Sequence, residues 1–118
     1  MYGLPIDIDL GFFSARTLIQ VCIGAHDLIL NFDGGVSVTV MSCIGVAGFK
    51  GTIRRHEDFR QAASVLVTLI DRTVASAQRE GAGTLHLTFQ GGGTLLIYDD
   101  TNEYESYVVT NGGQLLVV

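Results

Sequence analysis

Two parts of the sequence resemble each other, and this internal similarity constrains the fold more than any other feature. Residues 13–18 align with residues 69–74, and both stretches contain an Arg-Thr pair at the same place. Further along, residues 28–35 align with residues 85–92, and both close with Phe, one other residue and two glycines. A unit that is used twice determines architecture more strongly than any single residue does.

We predict one domain over residues 1–118 with an internal pseudo-repeat of about 10–40 and 66–97, because this length suits one hydrophobic core. Apolar and polar residues alternate within each unit, and Gly- and Asp-rich turns separate the alternating stretches, which is typical of β-hairpins. The predicted strands are 18–23, 28–32 and 36–40 in the first unit and 74–78, 85–89 and 95–97 in the second. Two additional C-terminal strands are predicted over 104–110 and 114–118.

One segment between the units changes its hydrophobic period from two to three or four residues. The apolar residues at this helical spacing are Phe59, Ala62, Leu66 and Leu69. Asp58 precedes them and is a favourable N-cap residue. We therefore predict one main helix over about 58–71.

The remaining segments are less regular. Residues 8–15 are predicted to form a turn or a single helical turn, and residues 41–56 an irregular loop with at most one short strand. The predicted fold class is α+β: mostly antiparallel β, with two related three-stranded units, one main helix and two C-terminal strands. One continuous sheet, two packed sheets and a partly open barrel all remain compatible with this pattern.

Composition excludes several classes of function. The formal net charge is −5, and an acidic surface repels phosphate backbones, so we expect no nucleic-acid binding. No apolar run reaches the roughly 18–20 residues of a membrane helix, and no basic start precedes an apolar stretch. We expect a cytoplasmic protein without membrane association. The apolar stretch 115–118 predicts a homodimer, formed by edge pairing or through sheet faces.

No group of residues has the pattern of a catalytic or metal site. His26, His56 and His86 lack the spacing of zinc ligands. The glycines at 91–93 precede a strand instead of a helix, so they do not form a phosphate-binding loop. The acidic stretch 99–105 is rich in oxygen ligands but lacks the spacing of a calcium loop. We predict a non-enzymatic protein without a metal or cofactor.

Tyrosines and carboxylates are concentrated near the C-terminal end. Tyrosine supplies a large, stiff contact area with a polar tip, and the surrounding carboxylates would attract a basic protein partner. The predicted partner-binding residues are Tyr98, Asp99, Asp100, Glu103, Tyr104, Glu105 and Tyr107. The alternative is that the tyrosines only complete the sheet, since Tyr104 and Tyr107 would lie on opposite faces of a strand.

A short basic segment ahead of the helix provides a second hypothesis. Arg54, Arg55 and His56, together with Tyr98, would bind a small anion such as a nucleotide. The pocket would lie between the two units or at a dimer interface.

The C-terminal half also resembles a known group of proteins. Residues 83–89 follow the pattern G-x-L-x-L-x-F, the tetrapeptide Tyr-Glu-Ser-Tyr stands at 104–107, and a Gly-Gly pair follows at 112–113. In these residues the chain resembles a family of small, uncharacterised bacterial proteins, and the resemblance implies no activity. Its size and acidity resemble those of immunity and antitoxin proteins, so we predict a protein-interaction module of that kind.

Overall fold

The structure is a computed structural model, and it describes residues 4–5, 7–49, 51–99 and 105–118. Over these residues, ten strands form two five-stranded antiparallel sheets beside one main helix, so the predicted α+β, mostly antiparallel fold is confirmed. The strands are β1 (Leu18–Ile23), β2 (Leu28–Phe32), β3 (Val36–Val40), β4 (Ile44–Ala47), β5 (Arg54–His56), β6 (Val74–Glu80), β7 (Thr84–Phe89), β8 (Thr94–Ile97), β9 (Tyr107–Asn111) and β10 (Gln114–Val117).

Each sheet combines strands from both units. The first sheet has the order β1-β2-β3-β9-β10, and the second has the order β6-β7-β8-β4-β5. Each unit thus supplies three consecutive strands to one sheet, and its following hairpin pairs with the third strand of the other unit. Val40 of β3 pairs with Tyr107 of β9, and Ile97 of β8 pairs with Ile44 of β4. The two units are interlocked by this exchange of hairpins.

The units meet where their similar stretches lie side by side. Thr17 forms an antiparallel bridge with Thr73, its own counterpart, and the two hydroxyl oxygens are 3.2 Å apart. On either side of the bridge, the N–H groups of Leu18 and Val74 donate to the carbonyls of the arginines that precede the threonines, at 3.0 and 2.8 Å. Because each contact recurs with the units interchanged, an approximate two-fold axis passes between the threonines.

The turn that leads into this bridge is also the same in both units. Ala15 and Asp71 both have a left-handed backbone, with φ of 65° and 73°. The next residue in each unit, Arg16 or Arg72, donates from its side-chain Nε to the carbonyl four residues earlier, at 3.0 and 3.1 Å. The shared Arg-Thr pair therefore has a structural role: the arginine closes the turn and the threonine joins the units.

One face of each sheet contributes to a single hydrophobic core. The buried residues of the central strands include Leu28, Leu30, Val36, Val38 and Val40 in the first sheet and Leu85, Leu87, Leu95 and Ile97 in the second. Each such side chain contributes about 1.5–3 kcal/mol relative to an exposed one. The core therefore holds the two sheets against each other.

The main helix covers residues 59–69. It consists of a 3₁₀ turn (Phe59–Ala62), the helix α1 (Ala63–Leu66) and a second 3₁₀ turn (Val67–Leu69). The Asp58 side chain accepts a 3.1 Å hydrogen bond from the backbone N–H of Arg60, which satisfies a donor that the helix itself leaves unpaired. Its buried residues are Phe59, Ala62, Leu66 and Leu69, the four at helical spacing in the sequence.

The segment 41–56 corrects one expectation. Instead of a loop with at most one strand, it contains both β4 and β5. All four residues of β4 are buried, and a strand that is covered on both faces shows no alternation of apolar and polar residues. β5 has three residues, too few for a period to be visible. In the first unit, the expected helical turn is present as a 3₁₀ turn at Gly11–Phe13.

No helix within the described ranges is long and apolar enough to cross a membrane. Cys43 is buried and Cys22 is half-buried, and no disulfide joins them.

The two equivalent turns after β2 and β7 allow a matched test of the arginine contacts. Gly34 and Gly91 both have a left-handed backbone, with φ of 71° and 82°. A Cβ at Gly34 would collide with the guanidinium of Arg16, whereas one at Gly91 would lie 3.8 Å from that of Arg72. We expect Gly91→Ala to lower the free energy of unfolding by about 1–2 kcal/mol through backbone strain alone. Gly34→Ala should lower it further, because Arg16 must also move.

Urea denaturation of both variants measures this difference. Equal losses of stability would show that the position of Arg16 does not contribute.

Candidate functional site

The structure brings together only part of the predicted acidic and aromatic surface. Three of its residues lie outside the described ranges: Asp100, Glu103 and Tyr104. Tyr98 is half-buried and lies across Gly45 on the outer face of the second sheet. Asp99 accepts a 2.9 Å hydrogen bond from the hydroxyl of Ser106, which links the end of β8 to the start of β9. Glu105 is exposed.

Tyr107 is buried in the core and is not part of the exposed acidic and aromatic surface. Its side chain is 0% exposed on the core face of β9, and its hydroxyl donates a 2.7 Å hydrogen bond to the carbonyl of Gly83. Burial raises the pKa of the Tyr107 phenol far above its usual value, and the negative charge of Asp99 acts in the same direction. Tyr107 therefore stabilises the core, which was the alternative that the sequence left open.

The basic residues predicted to bind an anion form β5, at one edge of the second sheet. Arg54 and Arg55 pair with successive residues of β4, so their side chains leave opposite faces of the strand. The guanidinium carbon of Arg55 lies 4.8 Å from the centre of the Tyr98 ring, within the range of a cation–π contact. His56 is half-buried at the end of the strand. These residues do not converge on one face.

A cleft that the sequence did not predict lies between the segment before β1 and the β9–β10 hairpin. Its volume is about 460 Å³. It is lined by Ile8, Asp9, Phe12, Val109, Asn111, Gln114, Leu115 and Leu116. The Oδ1 atom of Asp9 accepts a 2.8 Å hydrogen bond from the N–H of Gly11, which fixes the orientation of this carboxylate. The cleft thus combines apolar walls with two amides and one carboxylate.

The cleft is present because the two units differ at this place. In the second unit the main helix lies against the end of β4, so that a Cβ at Gly48 would be 3.7 Å from the Val65 side chain. By strand register and repeat offset, the corresponding residues beside the first sheet are Asp9 and Asn111, the latter in the hairpin that follows the second unit, and both line the cleft. The first unit has only a 3₁₀ turn where the second has a helix of 11 residues. The main helix therefore covers this place on the second sheet, whereas the corresponding place on the first sheet is left uncovered.

None of the residues that line the cleft was predicted to belong to a binding site. A signal was nevertheless present, because the segments preceding the two Arg-Thr pairs, 8–15 and 58–71, match poorly within an otherwise similar pair of units. A missing helix beside a sheet leaves apolar side chains uncovered, and such a place is favourable for binding.

The residues that line the cleft can bind another molecule through three kinds of contact. Amides can orient a bound chain by hydrogen bonds, apolar walls can bury a side chain, and the Asp9 carboxylate can pair with a cation. In the part of the chain that the structure describes, no three His, Cys, Asp or Glu side chains are grouped closely enough to hold a metal ion.

The buried phenol of Tyr107 predicts a pH-dependent stability. We expect Tyr107→Phe to lower the free energy of unfolding by about 1–2 kcal/mol near neutral pH, because the Gly83 carbonyl loses its donor. The folded state raises the pKa of Tyr107, so the contribution of the phenol is complete below its ordinary pKa of about 10 and is lost as pH rises above it. Denaturation of both proteins at pH about 8 and about 11 should therefore give a smaller difference at the higher pH. An unchanged difference would contradict the assignment.

Comparison with known proteins places the chain in a family whose function is unknown. No curated protein and no solved structure matches the chain. A family of unknown function, DUF6188, matches residues 13–118, which include both three-stranded units, both exchanged hairpins and the main helix. Asp9 and Phe12 of the cleft precede the matched region. The chain belongs to this family, in agreement with its resemblance to an uncharacterised group of proteins.

Proposed function

We propose that this chain is a non-enzymatic protein-interaction module that binds a segment of a basic partner protein in the cleft. The observation that carries the proposal is an exposed carboxylate, Asp9, beside the apolar walls of the cleft at the place where the two units differ. Contacts repeated in both units, such as those of Arg16 and Arg72, maintain the framework.

The lining defines the kind of segment that fits. Ile8, Phe12, Val109 and Leu116 would surround an apolar side chain, and Asp9 would pair with a neighbouring Lys or Arg. The volume lies within the range of about 300–1,000 Å³ that is usual for binding pockets. The net charge of −5 favours encounter with a basic partner.

A small acidic protein of this kind would act by occupying a surface of its partner. We propose an inhibitory role in the cytoplasm, similar to that of immunity or antitoxin proteins, on the basis of size, acidity and a cleft suited to recognition. A small-ligand function remains the second candidate, since the cleft volume would also suit a small molecule. Asp9 favours a cationic ligand over the nucleotide considered from sequence.

Selection of random peptides of about nine residues on the folded protein tests the main proposal. We expect enrichment of peptides in which an apolar residue stands next to Lys or Arg. Asp9→Lys should weaken binding of a selected peptide at least about tenfold, measured by fluorescence anisotropy, because it places like charges together.

A matched control separates the cleft from net charge. Glu57→Lys makes the same change in charge at an exposed position ahead of the main helix, and it should leave peptide affinity within about twofold. Equal losses in both variants would reduce the effect to net charge and reject the cleft. A failure to enrich peptides, together with thermal stabilisation by a small cation, would favour the second candidate.

A further inference from the structure

We propose that β10 is a dimerisation strand, and that two copies of the chain pair along it in antiparallel fashion with Leu115 opposite Val117 of the other copy. This inference goes beyond the proposed function, because it uses the backbone edge of β10 and not Asp9, although the side chains of Leu115 and Leu116 also line the cleft.

Some backbone N–H and C=O groups of β10 point away from the sheet. Among the described residues, this strand is at one end of the first sheet. Val118 and Tyr107 exchange hydrogen bonds in both directions, at 2.9 and 3.4 Å. In an antiparallel ladder, residues alternate between facing the partner strand and facing away from it. Leu115 and Val117 therefore direct their N–H and C=O groups outward, away from β9.

The C-terminal hairpin carries no charged side chain. Residues 106–118 contain no Asp, Glu, Lys or Arg, although the whole chain has a net charge of −5. Edge strands are commonly protected from pairing by charged side chains or proline, and this one has neither. The side chain of Leu115 is 69% exposed on it. Two acidic copies repel each other at charged surfaces, and this uncharged edge is where they can approach.

The equivalent edge of the second sheet, at β5, differs from β10 because it carries arginine. Arg54 pairs with β4 as Leu116 pairs with β9, which makes β5 the counterpart of β10 and Ile53 the counterpart of Leu115. A symmetric pairing of β5 would place Arg54 opposite Arg54 of the other copy, and like charges directly opposite each other are destabilising. One edge of the molecule is thus protected by arginine, and its counterpart is not. A second copy of the chain suits the unprotected edge.

The register follows from these directions. A two-fold axis at Leu116 makes Leu115 and Val117 of the two copies exchange backbone hydrogen bonds, and it places the two Leu116 residues opposite each other in a non-hydrogen-bonded pair with Cα atoms about 4.5 Å apart. The two first sheets then join into one continuous sheet. Pairing over so few residues gives an interface at the small end of the known range, so we expect a dissociation constant of about 1–100 µM.

Sedimentation velocity over about 1–300 µM tests the dimer. The mass of the 12.7 kDa chain should rise towards twice that value with concentration. Leu115→Lys should weaken the dimer at least about tenfold, whereas Ile53→Lys, the matched change on the protected edge, should leave it unchanged. A monomer at all concentrations would overturn the proposal, and so would equal loss in both variants.

Cross-linking tests the register. In a background with Cys22→Ser and Cys43→Ala, shown to be folded by circular dichroism, Leu116→Cys should form a disulfide-linked dimer on mild oxidation, and Arg54→Cys should not. A dimer without the Leu116→Cys cross-link would reject pairing through β10. Asp9→Lys should leave dimerisation unchanged, so the dimer and the cleft can fail independently.

Discussion

The bridge between Thr17 and Thr73 is the contact on which the rest of the structure depends. It joins two equivalent residues in antiparallel fashion, with backbone hydrogen bonds from Leu18 and Val74 on either side. This geometry places the two three-stranded units in an approximate two-fold relation. Each third strand then faces the hairpin of the other unit, and the exchange of hairpins completes both sheets. The Arg-Thr pair that the two halves share serves this joint and the turns that lead into it.

The two halves differ in what surrounds this framework. The second unit has a helix against β4, and arginines protect the edge of its sheet at β5. The first unit has a 3₁₀ turn, an open cleft and an uncharged edge at β10. The second sheet thus has a helix and arginines at the places where the first sheet has an open cleft and an uncharged edge. This asymmetry within a symmetric framework supports assigning recognition to the first sheet.

The sequence predicts what depends on local period and fails where contacts are distant. The meanders and the main helix follow from alternation and from the spacing of Phe59, Ala62, Leu66 and Leu69. The exchange of hairpins could not be predicted, because it depends on which strands meet across the whole chain. The burial of Tyr107 remained an open alternative because period alone does not determine which face of β9 is inward. The cleft was missed because it arises from a difference between the units, at Asp9 and Asn111, and has no motif of its own.

The exchange of hairpins has a consequence for the order in which the chain can fold. Strand β3 is completed by β9, whose residues are synthesised after the whole of the second unit, so the first three strands emerge from the ribosome with the edge of β3 unpaired. Val36, Val38 and Val40 then remain without their final neighbours until the second unit has been made. Non-local pairing of this kind is slow relative to helix and hairpin formation. The first sheet is therefore completed last, after β9 and β10 have followed, although its first three strands are made first.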